Sequence, residues 1–158
     1  MDVPTPDAVE TVEIDAPAAE VWHCRLDFTR LPEYNPDVAG VDRVGRGEGV
    51  GGHLGVGARY RFTLATGHGP HEVVLTVTAV EQDREVSAVM DGALRATETF
   101  RVTALGDRRC RAELALWLEL PDGLSEDVAG GIIEGGRRQV RSELDRMRDV
   151  LSVPTVRT

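Results

Sequence analysis

The chain contains no lysine; all 18 of its basic residues are arginine. Without a lysine amine there is no Walker-type phosphate clamp and no Schiff-base or PLP chemistry. Aromatic side chains are scarce, with two Trp, two Tyr and three Phe. That leaves few platforms for stacking bases. Positive charge is in deficit, since 27 acids against 18 bases give a formal net charge of -9. Such a chain is a poor match for a phosphate backbone, so no nucleic-acid partner is expected. The two cysteines, Cys24 and Cys110, make neither a zinc site alone nor a disulfide framework. No apolar run approaches the roughly 20 residues of a membrane-spanning helix. Met1 to Glu10 carries acids where a signal peptide carries a basic and then an apolar region. The expectation is a cytoplasmic protein with reduced thiols.

What is present suits one domain. A chain of 158 residues with 41% hydrophobic and 28% charged residues buries roughly 70% of its unfolded surface and needs no metal or disulfide staple. Residues 1–8 read as a flexible N-terminal arm, 9–153 as the domain and 154–158 as a tail. Val12 and Ile14 share one face of a short first strand. Pro17 at a first helical position and Glu20 in the first turn open a helix with Val21, Trp22, Leu26 and Phe28 on its apolar side. A second short helix is expected over Thr29 to Tyr34, stopped by Asn35-Pro36.

From Val38 the hydrophobic period becomes two. Apolar faces follow at Val38/Val41/Val44, Tyr60/Phe62/Leu64, His71/Val73/Leu75/Val77/Ala79, Val86/Ala88/Met90, Ala96/Glu98/Phe100/Val102 and Ala112/Leu114/Leu116/Leu118/Leu120. Six successive strands joined by turns predict an antiparallel meander. Leu124, Val128, Ile132, Gly136, Val140, Leu144, Met147 and Leu151 then form one helical stripe. That helix carries Gly130, Gly131, Gly135 and Gly136, each costing about 0.5–1 kcal/mol relative to Ala. Either a cavity lies beneath the glycines or the helix packs closely there.

The segments Val12-Glu13-Ile14-Asp15-Ala16-Pro17, Glu20-Val21-Trp22 and Leu31-Pro32-Glu33-Tyr34-Asn35-Pro36 resemble the opening of the SRPBCC superfamily. This group includes START-related lipid-transfer domains, birch-pollen allergens and the polyketide cyclase/dehydrase family. The likeness runs from Val9 to about Val153. It implies an α+β helix-grip fold: a seven-stranded curved antiparallel sheet wrapped around a long C-terminal helix, with two short helices after the first strand. It also implies a deep apolar cavity for lipids, hormones or polyketides, and no universal catalytic set.

Gly47-Glu48-Gly49-Val50-Gly51-Gly52 satisfies G-x-G-x-x-G. A dinucleotide site needs a helix after that motif to hold the pyrophosphate, whereas here a strand follows and Glu48 repels phosphate. The Gly45–Gly57 stretch is instead expected to be a mobile loop at the cavity mouth. His53 and His68 sit in glycine-rich loops that do not preorganise a metal, so neither metal nor cofactor is expected. His71 shares parity with Val73 and Leu75. It is either an inward acid/base group or a strand-end residue at the solvent boundary.

Glu98 lies on an apolar face, where a carboxylate is costly unless paired. It either lines the cavity or is turned outward by a bulge. Tyr60 offers a hydroxyl or packs in the core. The catalytic candidates are Tyr60, His71 and Glu98. The expected ligand-binding set adds Tyr34, Phe62, Leu75, Met90, Phe100, Leu116, Leu118, Ile132 and Gly136. Trp117 shares a face with Arg111 and Glu113, where an exposed indole suggests a partner surface, for instance a homodimer. The leading function is binding of a small hydrophobic ligand. The alternatives are a polyketide cyclase/aromatase or dehydratase-type enzyme using the same cavity, and a protein-interaction module.

Overall fold

In the computed structural model, residues 4–45, 55–66 and 69–152 are described. The first strand, β1 (Ala8–Ile14), buries Ala8 and Ile14 and turns Val9, Thr11 and Glu13 outward. It pairs antiparallel with the last strand, β7 (Arg109–Glu119), from Ala8 opposite Leu116 to Ile14 opposite Cys110. Helix α1 (Ala18–Leu26) follows at once. Pro17 is its N-cap, not its first helical residue, because its ψ of 143° is extended. A 3-10 helix then covers Phe28–Glu33. It starts one residue earlier than expected because the Asp27 carboxylate caps it, accepting from the Thr29 backbone N–H at 3.1 Å.

The remaining strands are β2 (Val38–Gly45), β3 (Arg59–Thr66), β4 (Gly69–Glu81), β5 (Glu85–Asp91) and β6 (Arg95–Gly106). With β1 and β7 they make one seven-stranded sheet in the order β1-β7-β6-β5-β4-β3-β2, all neighbours antiparallel. This is the expected meander, with β1 added at its far edge. Two face expectations fail: Val44 is exposed, on a strand whose register shifts between Ala39 and Asp42 and again between Arg43 and Gly45, and Ala79 is misplaced. Ala79 is exposed, because a register shift between Val77 and Ala79 makes Thr78 an extra residue. Val80 takes the place beside the core.

Helix α2 (Glu126–Leu151) runs unbroken through all four glycines. Ser125 caps it, its hydroxyl accepting from the Val128 N–H at 3.2 Å. Its second half buries Val140, Leu144 and Met147 and packs on β1 and β7. Its first half stands away from the sheet, and Val128 is 50% exposed. A Cβ built on Gly130, Gly131 or Gly135 meets nothing within 4 Å. On Gly136 it would lie 3.2 Å from the Leu116 Cδ2. Three glycines therefore face open space, and only Gly136 serves close packing.

The segment before β1 is fastened to β7. The Asp7 N–H donates to the Leu116 carbonyl at 2.8 Å, and the Leu118 N–H donates to Asp7 Oδ2 at 2.7 Å. The Trp117 indole donates to the Pro4 carbonyl at 2.8 Å. Trp117 is accordingly half-buried under its own chain and not an open aromatic patch. The tail at 154–158, together with Val153, lies outside the described residues. So do His53, His68 and the G-x-G-x-x-G motif.

Candidate functional site

The space left beneath the first half of α2 is a cavity of about 1210 Å³. Its walls come from β2 to β7, the 3-10 helix, α2 and Arg25 of α1. Exposed lining residues mark the mouth: Pro70 at the start of β4, Gly92 and Ala93 in the turn between β5 and β6, and Val128 and Gly131 on α2. Phe62, Leu75, Met90, Leu116, Leu118 and Ile132 supply apolar wall, with Gly136 beside them. His71, half-buried, is also on the wall.

Three charged side chains on this lining are buried, Arg25, Glu98 and Glu143, while Asp37, Asp127 and Arg138 are exposed. Glu98 points inward because β6 alternates without interruption through Ala96, Glu98, Phe100 and Val102, all buried. Its Oε1 accepts from Arg25 Nη2 at 2.5 Å. Arg25 Nη1 donates to Glu143 Oε1 at 3.0 Å and reaches the Tyr34 hydroxyl at 3.5 Å. Side-chain exposure is 1% for Arg25, 7% for Glu98 and 9% for Glu143. The guanidinium carbon also lies 5.3 Å from the Phe28 ring centroid, 5.6 Å from Tyr34 and 5.7 Å from Phe100. Such contacts favour a buried cation.

One cation thus serves two buried carboxylates. Burial pushes the Glu143 carboxyl above its usual range; Arg25 opposes this and Glu98 adds to it. Burial also tends to lower the Arg25 pKa, but the two carboxylates and Tyr34 outweigh it and raise it. The Tyr34 hydroxyl is held well above its ordinary value, chiefly by burial. Burial likewise raises the Cys110 thiol to about 11 and raises Cys24, so neither is an activated nucleophile.

Three residues of the expected ligand set are not on the wall. Tyr34 and Phe100 lie behind it, flanking Arg25. Tyr60 is fully buried elsewhere, its ring centroid 5.5 Å from that of Phe28 and 5.9 Å from the Arg43 guanidinium carbon. Large rings at those positions complete the core under the cavity. Among the described residues no group of three His, Cys, Asp or Glu side chains converges as a metal site. No helix among them is long and apolar enough to cross a membrane.

Arg25 and Glu143 were absent from the sequence reading, although a signal existed. Arg25 stands three residues after Trp22 and four after Val21, inside the apolar stripe of α1. Glu143 stands three after Val140 and four before Met147, inside the stripe of α2. A charge on a buried stripe has to find a partner, and these two found each other.

Residues 5–152 match the family described as "Polyketide cyclase / dehydrase and lipid transport", and the chain belongs to that family. A START superfamily protein from Mycobacterium smegmatis has a similar fold, with a TM-score of 0.74 at 16% identity over 91% of this chain and 97% of that one. The Zhui aromatase/cyclase from a Streptomyces species gives 0.71 at 14% identity over 91% and 92%. The di-domain ARO/CYC protein BexL gives 0.73 at 18% identity over 90% of this chain and 45% of that one. Comparison with curated proteins finds no match. The fold is the helix-grip arrangement of the START and SRPBCC proteins.

Proposed function

We propose that this protein binds a small hydrophobic molecule, lipid or polyketide-like, in the cavity between the sheet and α2. The observation that carries this reading is the cavity itself: about 1210 Å³ with a predominantly apolar wall and one buried polar cluster. Ligand sites commonly combine an apolar lining with a few fixed polar groups that orient the ligand. Glycines at 131 and 135 keep the roof thin. A protein-interaction module would have no use for such a space.

Native mass spectrometry of freshly purified protein, before and after incubation with the neutral dye Nile red, tests the reading. A co-purified small molecule, or a one-to-one dye complex, supports it. Unliganded protein in both samples overturns it.

An aromatase/cyclase or dehydratase-type activity in the same cavity is the second reading. It is favoured by proton-carrying groups on the wall, namely His71, Glu98 and Glu143. Glu143 takes the place of Tyr60 among the candidates. Turnover of an aromatic polyketide analogue, lost in Glu98→Gln or His71→Ala, supports this reading; absence of turnover in the wild type removes it.

A further inference from the structure

Arg25 of the buried cluster touches the cavity lining, yet both of its Nη atoms already serve carboxylates. Arg25 Nη1 and Nη2 are directed at Glu143 and Glu98. Its Nε is enclosed and has no hydrogen-bond partner. Aromatic rings of Phe28, Tyr34 and Phe100 surround the guanidinium. Arg25 retains only 1% side-chain exposure.

The carboxylates are placed differently. Each uses Oε1 for the guanidinium, and both residues line the cavity. The Oε2 atoms of Glu98 and Glu143 accept no hydrogen bond among the described residues, and neither is sealed off. Two carboxylates on one guanidinium also leave the cluster with an excess of negative charge. A ligand reaching this wall therefore meets acceptor oxygens and a negative potential. A carboxylate beside these two acids would be repelled; the other guanidinium on the lining, Arg138, is exposed on α2 and is not part of this cluster. A hydroxyl or phenol would donate a hydrogen bond to an ionised acceptor in a poorly solvated site, where such bonds are stronger.

Resting on the reading of the cavity as a ligand site, we infer that its polar wall selects uncharged ligands that donate a hydrogen bond and rejects anions. Glu98 and Glu143 are the specificity-determining residues, and Arg25 positions them. The substrate class is then a hydroxylated or phenolic hydrophobe, not a free fatty acid or other anionic amphiphile.

Displacement of Nile red by three ligands of one size near neutral pH tests this: 2-naphthol, 2-methoxynaphthalene and 2-naphthoate. The expected order is naphthol tightest, about tenfold over the methoxy ether, with naphthoate weakest. In Glu143→Gln the gap between naphthol and naphthoate narrows. Naphthoate binding as tightly as naphthol to the wild type overturns the inference, as does a methoxy ether equal to naphthol. Both tests use wild-type protein, so a variant that fails to fold does not blunt them. If Nile red itself does not bind, the ligand-site reading falls first. If it binds and the order differs, only the present inference falls.

Discussion

Arg25 on α1 and Glu143 on α2 stand 118 positions apart in the chain, and their side chains meet at 3.0 Å. With Glu98 of β6 on the other side of the guanidinium, the contact ties both helices to the sheet at the wall of the cavity.

Arg25 is expected to be the costliest member of the cluster to remove. Arg25→Met leaves two neighbouring carboxylates buried without a cation. Loss of one partner from a buried pair costs about 3–5 kcal/mol. Urea unfolding near neutral pH should show a loss of at least that order. A variant as stable as wild type at neutral pH would contradict the ion-pair geometry.

The raised Glu143 value has a consequence of definite sign. A carboxyl whose folded pKa lies above its ordinary 4.5 binds more protons folded than unfolded. Its contribution to stability is fully present below the ordinary value and is lost as pH rises through the folded one. Gln at this position does not titrate. The stability of wild type minus that of Glu143→Gln should therefore fall as pH rises above about 4.5, measured by urea unfolding across the acid range. A difference that rises with pH would mean that Arg25 dominates over burial.

The four helix glycines should divide by location. Gly130 is exposed, off the cavity wall, and its Cβ position is open. Gly130→Ala is expected to stabilise by about 0.5–1 kcal/mol and to leave dye binding unchanged. Gly136→Val drives a branched side chain against Leu116 and Leu118 and should cost about 1–3 kcal/mol. Thermal melts of the two variants moving in the same direction would contradict this division.

Trp117 has an intramolecular partner in Pro4. Trp117→Glu is expected to leave the sedimentation mass unchanged. A drop from dimer to monomer would instead support a homodimer through the Trp117 face.

Most of the architecture was legible because it is periodic. The six meander strands and the long helix come directly from repeats of two and of three to four residues. Glu98 was legible for the same reason, since β6 keeps its register with β7 from Arg95 through Ala104. Ala79 was misplaced because the irregularity at Thr78 leaves no mark in the composition. Tyr60 was drawn toward the ligand by its hydroxyl, but a residue on the core face of a strand faces either the cavity or the packed floor, and parity does not distinguish these. Arg25 and Glu143 stand as charges on apolar helix stripes, so their burial is legible, but their partners are not. Their pairing is decided by how two helices far apart in sequence meet the sheet, and no local pattern encodes that meeting.

The central claim is that the space under α2 holds a ligand, and a substitution that fills it is the most direct test. Gly135 lines the cavity with open space at its Cβ, so Leu there extends into that space while the helix gains a good helix former. Fluorescence titration with Nile red should show saturable one-site binding by wild type and a loss of about tenfold or more in Gly135→Leu, with its melting temperature maintained. Equal binding by a folded Gly135→Leu variant, or no saturable binding by wild type, would contradict the account.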